Sequence, residues 1–380
     1  MVGALDMTGE EAGRTRSTGA RVLLLFGSDG IGGIERRLDI LIDAWASEGM
    51  TCELVALTGS SSPHGILAHR PITVLDPVRS RSPWRSWRRL HRLRHLIRAR
   101  DIAVVLAFGQ FANALAATAC AGLGVHVVLS EIVSPFTVRR RWWNRTVMQA
   151  YRLADALVVQ TQRLAHDIRC LPAPDHIIVI PNPISPAALA PADGATARDP
   201  RIVAAGRLVP HKRYADLVEA FASLAPDFPD WSVEILGDGP ERARLQAMIE
   251  RLQLTHRITL PGHVAVPWRR MQSAAILAHC AEIEGFCNTI LEAMAAGCAV
   301  VSSDCPYGPR EILSEECGLL YPPGDVGTLT AQLRRLMGDE VLRDRMARVG
   351  YRSLDRYRVK AIAQRWRAEI VQGLDRRTHA

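Results

Sequence analysis

The chain has 380 residues, 48% of them apolar and 23% charged, with a formal net charge of +8. That length is enough for two domains, each burying its own core, and that balance excludes a disordered chain or one made of membrane spans. The eight cysteines, from Cys52 to Cys317, include no CxxC pair, so neither a zinc site nor a disulfide framework is indicated and the thiols are read as reduced, in a cytoplasm.

Residues 1–20 mix Gly, Thr, Ser, Glu and Arg without an apolar core, which predicts a disordered tail rather than a secretory signal. Val22 to Phe26 reads as a strand. It is followed by Gly27-Ser28-Asp29-Gly30-Ile31-Gly32-Gly33 and a helix with Ile34, Leu38, Leu41, Ile42 and Trp45 on one face. A dinucleotide-binding dehydrogenase begins this way, but it wants an acidic residue after the second strand to hold a ribose. Here that strand, Glu53 to Leu57, ends in Thr58-Gly59-Ser60. A turn whose amides, those of Gly32 and Gly33, approach a diphosphate is the preferred reading.

Charge is concentrated further on. Arg79 to Arg100 carries nine arginines interleaved with Trp84, Trp87, Leu90, Leu93, Leu96 and Ile97 at roughly helical spacing, and Arg139 to Arg145 forms a second cluster around Trp142 and Trp143. Such stretches suit an anionic membrane surface. They equally suit a sheet-packing helix with an Arg-rich outer face. No nucleic-acid reader motif accompanies them, so nucleic acid is not expected as a partner. Ile102 to Leu129 holds no Asp, Glu, Lys or Arg and is long enough to cross a bilayer. Its opening Ile-Ala-Val-Val-Leu and its interruptions at Gly109, Gly122 and Gly124 fit strand, helix, strand better.

Strands at Ile72 to Leu75, Ile102 to Ala107, Val125 to Leu129, Ala156 to Val159 and Ile177 to Ile180 alternate with helical patterns, predicting a parallel sheet covered on both faces. Pro181-Asn182-Pro183 ends the first domain, residues 21–185, and residues 186–200 read as a linker. The second domain, residues 201–350, repeats the pattern with strands at Ile202 to Ala205, Ser232 to Leu236, Ile258 to Leu260, Ala275 to Ala278 and Ala299 to Ser302. Gly206-Arg207, Gly237-Asp238-Gly239, Gly262-His263, the Glu284 loop and Asp304 fall at strand ends, where open parallel sheets bind ligands.

Lys212 and Arg213 are expected in the first turn of a helix, where cations oppose the helix dipole and a bound anion would remove the conflict. The alternative is two ordinary surface cations. Glu284-Gly285-Phe286-Cys287 leads into a short helix carrying Glu292. Asn288 or Thr289 is expected to cap it and Gly297 to close it in the left-handed conformation. The two carboxylates can accept bonds from ligand hydroxyls, or be a loop and a helix-face residue. No Asp-x-Asp pair occurs in the chain, so the expected chemistry uses no metal and no cofactor, with Arg207, Lys212 and loop amides meeting the diphosphate.

The stretch with Glu284 and Glu292 separated by seven residues resembles a motif of the retaining glycosyltransferases of family 4. Gly32-Gly33-Ile34-Glu35-Arg36, Pro181-Asn182-Pro183 and Gly206-Arg207 with Lys212 resemble three more, in order. The resemblance spans residue 21 to about residue 350 and implies an α/β chain of GT-B fold, two Rossmann-like domains with parallel sheets facing across a cleft. It also implies a C-terminal helix, within residues 351–380, crossing back onto the first domain. In that family the residue matching Glu292 binds ribose hydroxyls and the one matching Glu284 lies beside the transferred sugar. By the same likeness, backbone groups of Phe286, Cys287, Asn288 and Thr289 would hold sugar and phosphates, with Gly237 nearby, and those near Gly262 to Val264 the base. Where many members place an acceptor-side histidine this chain has Glu131, either a substitute that orients the acceptor hydroxyl or a solvated loop residue.

The stretch Ser303 to Leu313 resembles a subgroup that transfers hexoses or N-acetylhexosamines during assembly of lipid-linked glycans and cell-surface polysaccharides, although Tyr307 stands where that subgroup usually has Ser. The implied protein is a cytoplasmic enzyme, peripheral on the inner face of the membrane, that takes a nucleotide sugar, UDP-linked by expectation, to such an acceptor. A nucleotide-sugar epimerase or soluble-acceptor transferase of the same fold, and a non-enzymatic membrane scaffold, remain as alternatives.

Overall fold

The structure is a computed structural model that describes residues 21–27, 33–59, 67, 69–78, 82–131, 146–189 and 198–378. The Gly32 end of the first turn and the cluster from Arg139 to Arg145 lie outside the described residues, as do Arg79, Arg81 and the first twenty positions.

Seven strands build the first sheet: β1 (Arg21–Phe26), β2 (Cys52–Thr58), β3 (Ile72–Asp76), β4 (Ile102–Phe108), β5 (His126–Ser130), β6 (Ala156–Val159) and β7 (Ile177–Val179). They pair in parallel in the order β3-β2-β1-β4-β5-β6-β7. The run Val22–Phe26 is apolar throughout because both its faces are buried. Leu23 and Leu25 join one cluster of side chains, and Val22, Leu24 and Phe26 another on the opposite face. Ile102 to Leu129 resolves into β4, the helix Gln110–Cys120 and β5, and no helix among the described residues is long and apolar enough to cross a membrane.

The second sheet holds β8 (Asp199–Ala205), β9 (Ser232–Leu236), β10 (Ile258–Gly262), β11 (Ala274–His279), β12 (Ala299–Ser303) and β13 (Leu319–Tyr321), again all parallel, in the order β10-β9-β8-β11-β12-β13. Two details differ from the sequence reading. Asp199 and Pro200, assigned to the linker, already belong to β8, and β13 was not predicted, being three residues long.

Strand order reverses between β1 and β4 in one sheet and between β8 and β11 in the other. Such switch points open a crevice at the carboxyl ends, because the chain leaves adjacent strands in opposite directions. The C-terminal helix Val359–Thr378 returns to the first domain. Its Ile362, Ala363, Trp366 and Ile370 pack with the β1 cluster, and Trp45 Nε1 donates to the Ala363 carbonyl at 3.1 Å. Just before it, Leu354 and Tyr357 pack with the second domain, so the chain crosses between domains there.

Candidate active site

A cavity of about 560 Å³ lies between the two domains, lined by Arg36, Arg37 and Asn182 from the first and by Gly206, Arg207, Gly237, His263, Val264, Asn288, Thr289 and Glu292 from the second. The strand ends force glycine at its floor. A Cβ on Gly237, whose φ is +142°, would stand 1.9 Å from the Gly206 carbonyl oxygen, so only a bare backbone lets β8 and β9 end this close together.

Arg207 follows β8, is exposed, and has no side-chain partner among the described residues. Lys212 reaches back to the residue before it: a Cβ on Gly206 would sit 3.8 Å from Lys212 Nζ. Lys212 donates to Glu284 Oε1, and His279 Nε2 meets the same oxygen at 3.1 Å while Nδ1 meets Ser302 Oγ at 2.9 Å. Burial alone would raise the Glu284 carboxyl. The His279 hydrogen bond and the Lys212 charge outweigh burial and hold it at about 2. Both contacts fall on Oε1, leaving Oε2 open to a hydroxyl donor among the described groups.

Glu292 is the opposite case. Burial pushes its carboxyl up to about 7, only partly opposed by Arg36, whose Nη1 lies 3.5 Å away across the cleft. One carboxylate is therefore firmly ionised at neutral pH and the other is poised to take or lose a proton.

Several expectations need correction. Lys212 and Arg213 are not in the first turn of the helix. Pro210–Lys212 is a separate 3-10 turn, Arg213 is left-handed at φ +51°, and Tyr214–Leu224 starts after both. The expected conflict with the helix dipole dissolves, since the first-turn charge is Asp216, which accepts from Arg213 Nε at 2.7 Å. Neither Asn288 nor Thr289 caps the helix Asn288–Ala295. Cys287 occupies the cap position at φ +73° with no side-chain capping bond, its Sγ turned to the Tyr307 carbonyl, and Asn288 Oδ1 is taken by Asn182 Nδ2 at 3.0 Å. Gly297, at φ +78°, does close that helix, with Gly297 N donating to Met294 O and Cys298 N to Ala293 O.

Glu131 is not a solvated loop residue. It is 1% exposed, accepts from the Tyr151 hydroxyl at 2.5 Å and lies 3.4 Å from Asn113 Nδ2, and it does not line the cavity. Phe286 and Cys287 are buried behind the cavity wall, and Gly262 ends β10 next to the lining His263. Gly33 begins the helix Gly33–Ser47. Sequence reasoning missed Arg37, His279, Asn113 and Tyr151, none of which sits in a motif.

Among the described residues one group of metal-ligand type exists, His279, Cys287 and Cys305, with ligand atoms within 4.8 Å of one another. Both imidazole nitrogens are already hydrogen-bonded, to Ser302 and Glu284. The group reads as packing behind the Glu284 loop.

Residues 31–188 match the family model described as Glycosyltransferase Family 4, and residues 190–353 the one described as Glycosyl transferases group 1. The chain belongs to the family 4 glycosyltransferases. Among its curated relatives are an exopolysaccharide phosphotransferase of Streptomyces coelicolor, 34% identical over 59% of this chain, and the N-acetylgalactosamine-N,N'-diacetylbacillosaminyl-diphospho-undecaprenol 4-alpha-N-acetylgalactosaminyltransferase of Campylobacter jejuni, 33% identical over 38%. The lipopolysaccharide 1,6-galactosyltransferase of Salmonella typhimurium is 33% identical over 34%. The matches span 24%, 40% and 37% of those proteins' own lengths. Anabaena HepE in complex with UDP superposes with a TM-score of 0.79 at 20% identity, over 93% of this chain and 100% of that one. The lipopolysaccharide outer core galactosyltransferase WaaB does so with 0.74 at 20%, over 93% and 99%. At that identity the likeness establishes the GT-B fold of this family 4 chain.

Proposed function

We propose that this family 4 protein is a retaining, metal-independent glycosyltransferase that moves a hexose or N-acetylhexosamine from a nucleotide sugar, UDP-linked, to a lipid-linked or cell-surface glycan acceptor. It would work in the cytoplasm, on the inner face of the membrane. The observation that carries the reading is Arg207: an exposed cation with no side-chain partner among the described residues, at a sheet switch point, beside Lys212.

In this reading Arg207 and Lys212 meet the diphosphate and stabilise the charge that develops as the sugar leaves. Glu292 accepts the ribose hydroxyls and Glu284, fixed by Lys212 and His279, faces the transferred sugar through Oε2. Loop amides from Phe286 to Thr289 supplement the cations. The lipid-linked acceptor rests on the relatives that act on undecaprenol-linked glycan and on lipopolysaccharide, and on the exposed Trp84 and Trp87 with their neighbouring arginines.

A panel of nucleotide sugars tested for slow hydrolysis and thermal stabilisation, in EDTA and with added Mg²⁺ or Mn²⁺, tests the proposal. Stabilisation by at least one UDP-sugar, with hydrolysis surviving EDTA, is expected. Loss of turnover in EDTA and its return with either ion would refute metal independence, and no response to any nucleotide sugar would refute the function.

A further inference from the structure

Arg37 stands on the first-domain wall of the cleft, apart from the second-domain cations Arg207 and Lys212. It is 5% exposed, on the helix Gly33–Ser47, with its guanidinium 5.0 Å from the centroid of the Phe108 ring. Nη1 donates to Asn182 Oδ1 at 2.9 Å and Nη2 to Ser130 Oγ at 3.2 Å. The Gln160 amide, turned to satisfy its neighbours, brings its oxygen within 3.3 Å of Nη1. All of these acceptors are neutral. No carboxylate pairs with Arg37 among the described residues, and its buried Nε has no partner.

A buried cation without a counter-charge costs on the order of several kcal/mol, which neutral acceptors recover only in part. Burial lowers the Arg37 guanidinium to about 10, so it is still charged at neutral pH. The same side chain lines the interdomain cavity. An anion arriving there would supply the missing charge. We propose that Arg37, held in place by Asn182 and Ser130, forms a second anion subsite on the first-domain wall of the cleft, and that its ligand is a phosphoryl group. The inference rests on the glycosyl-transfer reading for its two sources, the donor diphosphate or a phosphate of a lipid-linked acceptor. Asn182 ties the subsite to the second domain, because its Nδ2 donates to Asn288 Oδ1 at 3.0 Å. A phosphoryl group held at Arg37 is thereby coupled to the start of the helix that carries Glu292.

The test uses the full chain with Arg37→Met and Arg37→Lys, and three probes: inorganic pyrophosphate, UDP and a short-chain prenyl diphosphate. Without any anion, Arg37→Met is expected to melt no lower than wild type, since it removes an uncompensated buried charge. With pyrophosphate the wild type gains stability, and Arg37→Met loses that gain along with about 10- to 100-fold in affinity. Arg37→Lys keeps a charge but not the planar fork and falls between the two. A loss confined to UDP assigns the subsite to the donor; a loss confined to the prenyl diphosphate assigns it to the acceptor. Unchanged affinity of all three probes for Arg37→Met, or for Arg37→Lys if the Met variant does not fold, overturns the proposal. Arg37-dependent pyrophosphate binding without any UDP binding would refute the nucleotide-sugar reading while leaving the subsite standing.

Discussion

Arg36 and Glu292, 256 positions apart, meet at 3.5 Å across the cleft, one from the first helix of the first domain and one from the helix that follows the Glu284 loop. Arg36 also lies over the Trp268 ring at 5.5 Å, so its cation is shared between an acid and an aromatic face of the second domain.

Because burial holds Glu292 near neutral pH, nucleotide affinity should depend on its ionisation. In the proposed role an ionised carboxylate would accept from both ribose hydroxyls, which a protonated one would not. UDP affinity, measured by calorimetry from pH 5.5 to 8.5, should rise with its midpoint near the raised carboxyl of Glu292, about 7, and level off only above it. Glu292→Gln should lose that component, leaving only the nucleotide's own titration. Arg36→Ala should move the midpoint upward, since Arg36 is what opposes burial. The stability sign runs the other way. Between 4.5 and about 7 the unfolded chain releases this proton and the folded chain keeps it, so wild type loses stability relative to Glu292→Gln as pH rises through that window. A pH-independent difference between the two proteins would contradict the assignment.

Removing the two cations at the switch point should be severe. On the proposed mechanism Arg207→Ala and Lys212→Ala would each forfeit a charge-assisted contact made as the diphosphate leaves, an expected loss of about 30- to 1000-fold in transfer rate. The two differ in stability. Arg207 has no side-chain partner among the described residues, so its variant should melt as wild type does. Lys212 helps to depress Glu284, whose contribution is present above 4.5 and lost as pH falls through about 2. The melting-temperature gap for Lys212→Ala should therefore be widest near neutral pH and close in strong acid. Full activity in both variants would remove the catalytic reading.

Much of this was visible in sequence because it is local. An unbroken run such as Val22–Phe26 announces a strand buried on both faces, and Gly297 announces the end of a helix, whatever the rest of the chain does. Arg207, Lys212, Glu284 and Glu292 could be singled out for the same reason, each lying in a short motif; the structure places Arg207 and Glu292 in the cavity lining, while Lys212 and Glu284 pair with each other outside that lining. Arg37 and His279 were not, because their meaning comes from partners brought together by folding: Ser130 and Asn182 for one, Ser302 and Glu284 for the other. The cap of the helix Asn288–Ala295 was misread likewise, since Asn288 is a good cap until Asn182 claims its oxygen.

Tyr307 shows a local departure acquiring a tertiary cause. The residue belongs to the second domain but is 2% exposed within the first domain's cluster, and its hydroxyl donates to Asp167 Oδ2 at 2.9 Å. Glu311, just beyond, accepts from the Gln162 and Arg163 amides at 2.7 and 3.0 Å. Tyr307 holds φ +67°, an uncommon conformation for a bulky residue that persists where packing enforces it. Tyr307→Ser should cost about 3 to 5 kcal/mol of stability through the cavity it leaves. Tyr307→Phe, which keeps the ring, should cost about 1 kcal/mol. Chemical denaturation checks both, and a Ser variant as stable as wild type would show that the contact does not hold the domains together.

The proposed membrane location can be tested on the helix Pro83–Ala99. Leu93 and Ile97 bury its inner side, while Trp84 and Trp87 are 69% and 55% exposed and stack with ring centroids 5.5 Å apart. These tryptophans do not pack inward, and two adjacent exposed aromatic rings suit a lipid interface. The arginines divide into two sets. Arg85 and Arg89 pair with Asp76, Arg92 donates to the Leu75 carbonyl, Arg94 to those of Ala119 and Ala121, and Arg100 pairs with Glu53. Arg88 and Arg98 are exposed. The wild-type protein should sediment with vesicles containing anionic lipid, bind neutral ones poorly, and leave the anionic ones as salt rises, since exposed charges are screened within ~10 Å at about 0.1 M. Replacing Trp84 and Trp87 by Ser, and Arg88 and Arg98 by Gln, should release it and slow transfer to a lipid acceptor while leaving donor hydrolysis and the melting temperature unchanged. Arg85→Gln should instead lower the melting temperature, because it strips a partner from the buried Asp76. Equal binding to neutral and anionic vesicles, or to neither, would return this face to an Arg-rich helix surface and make a soluble acceptor the better reading.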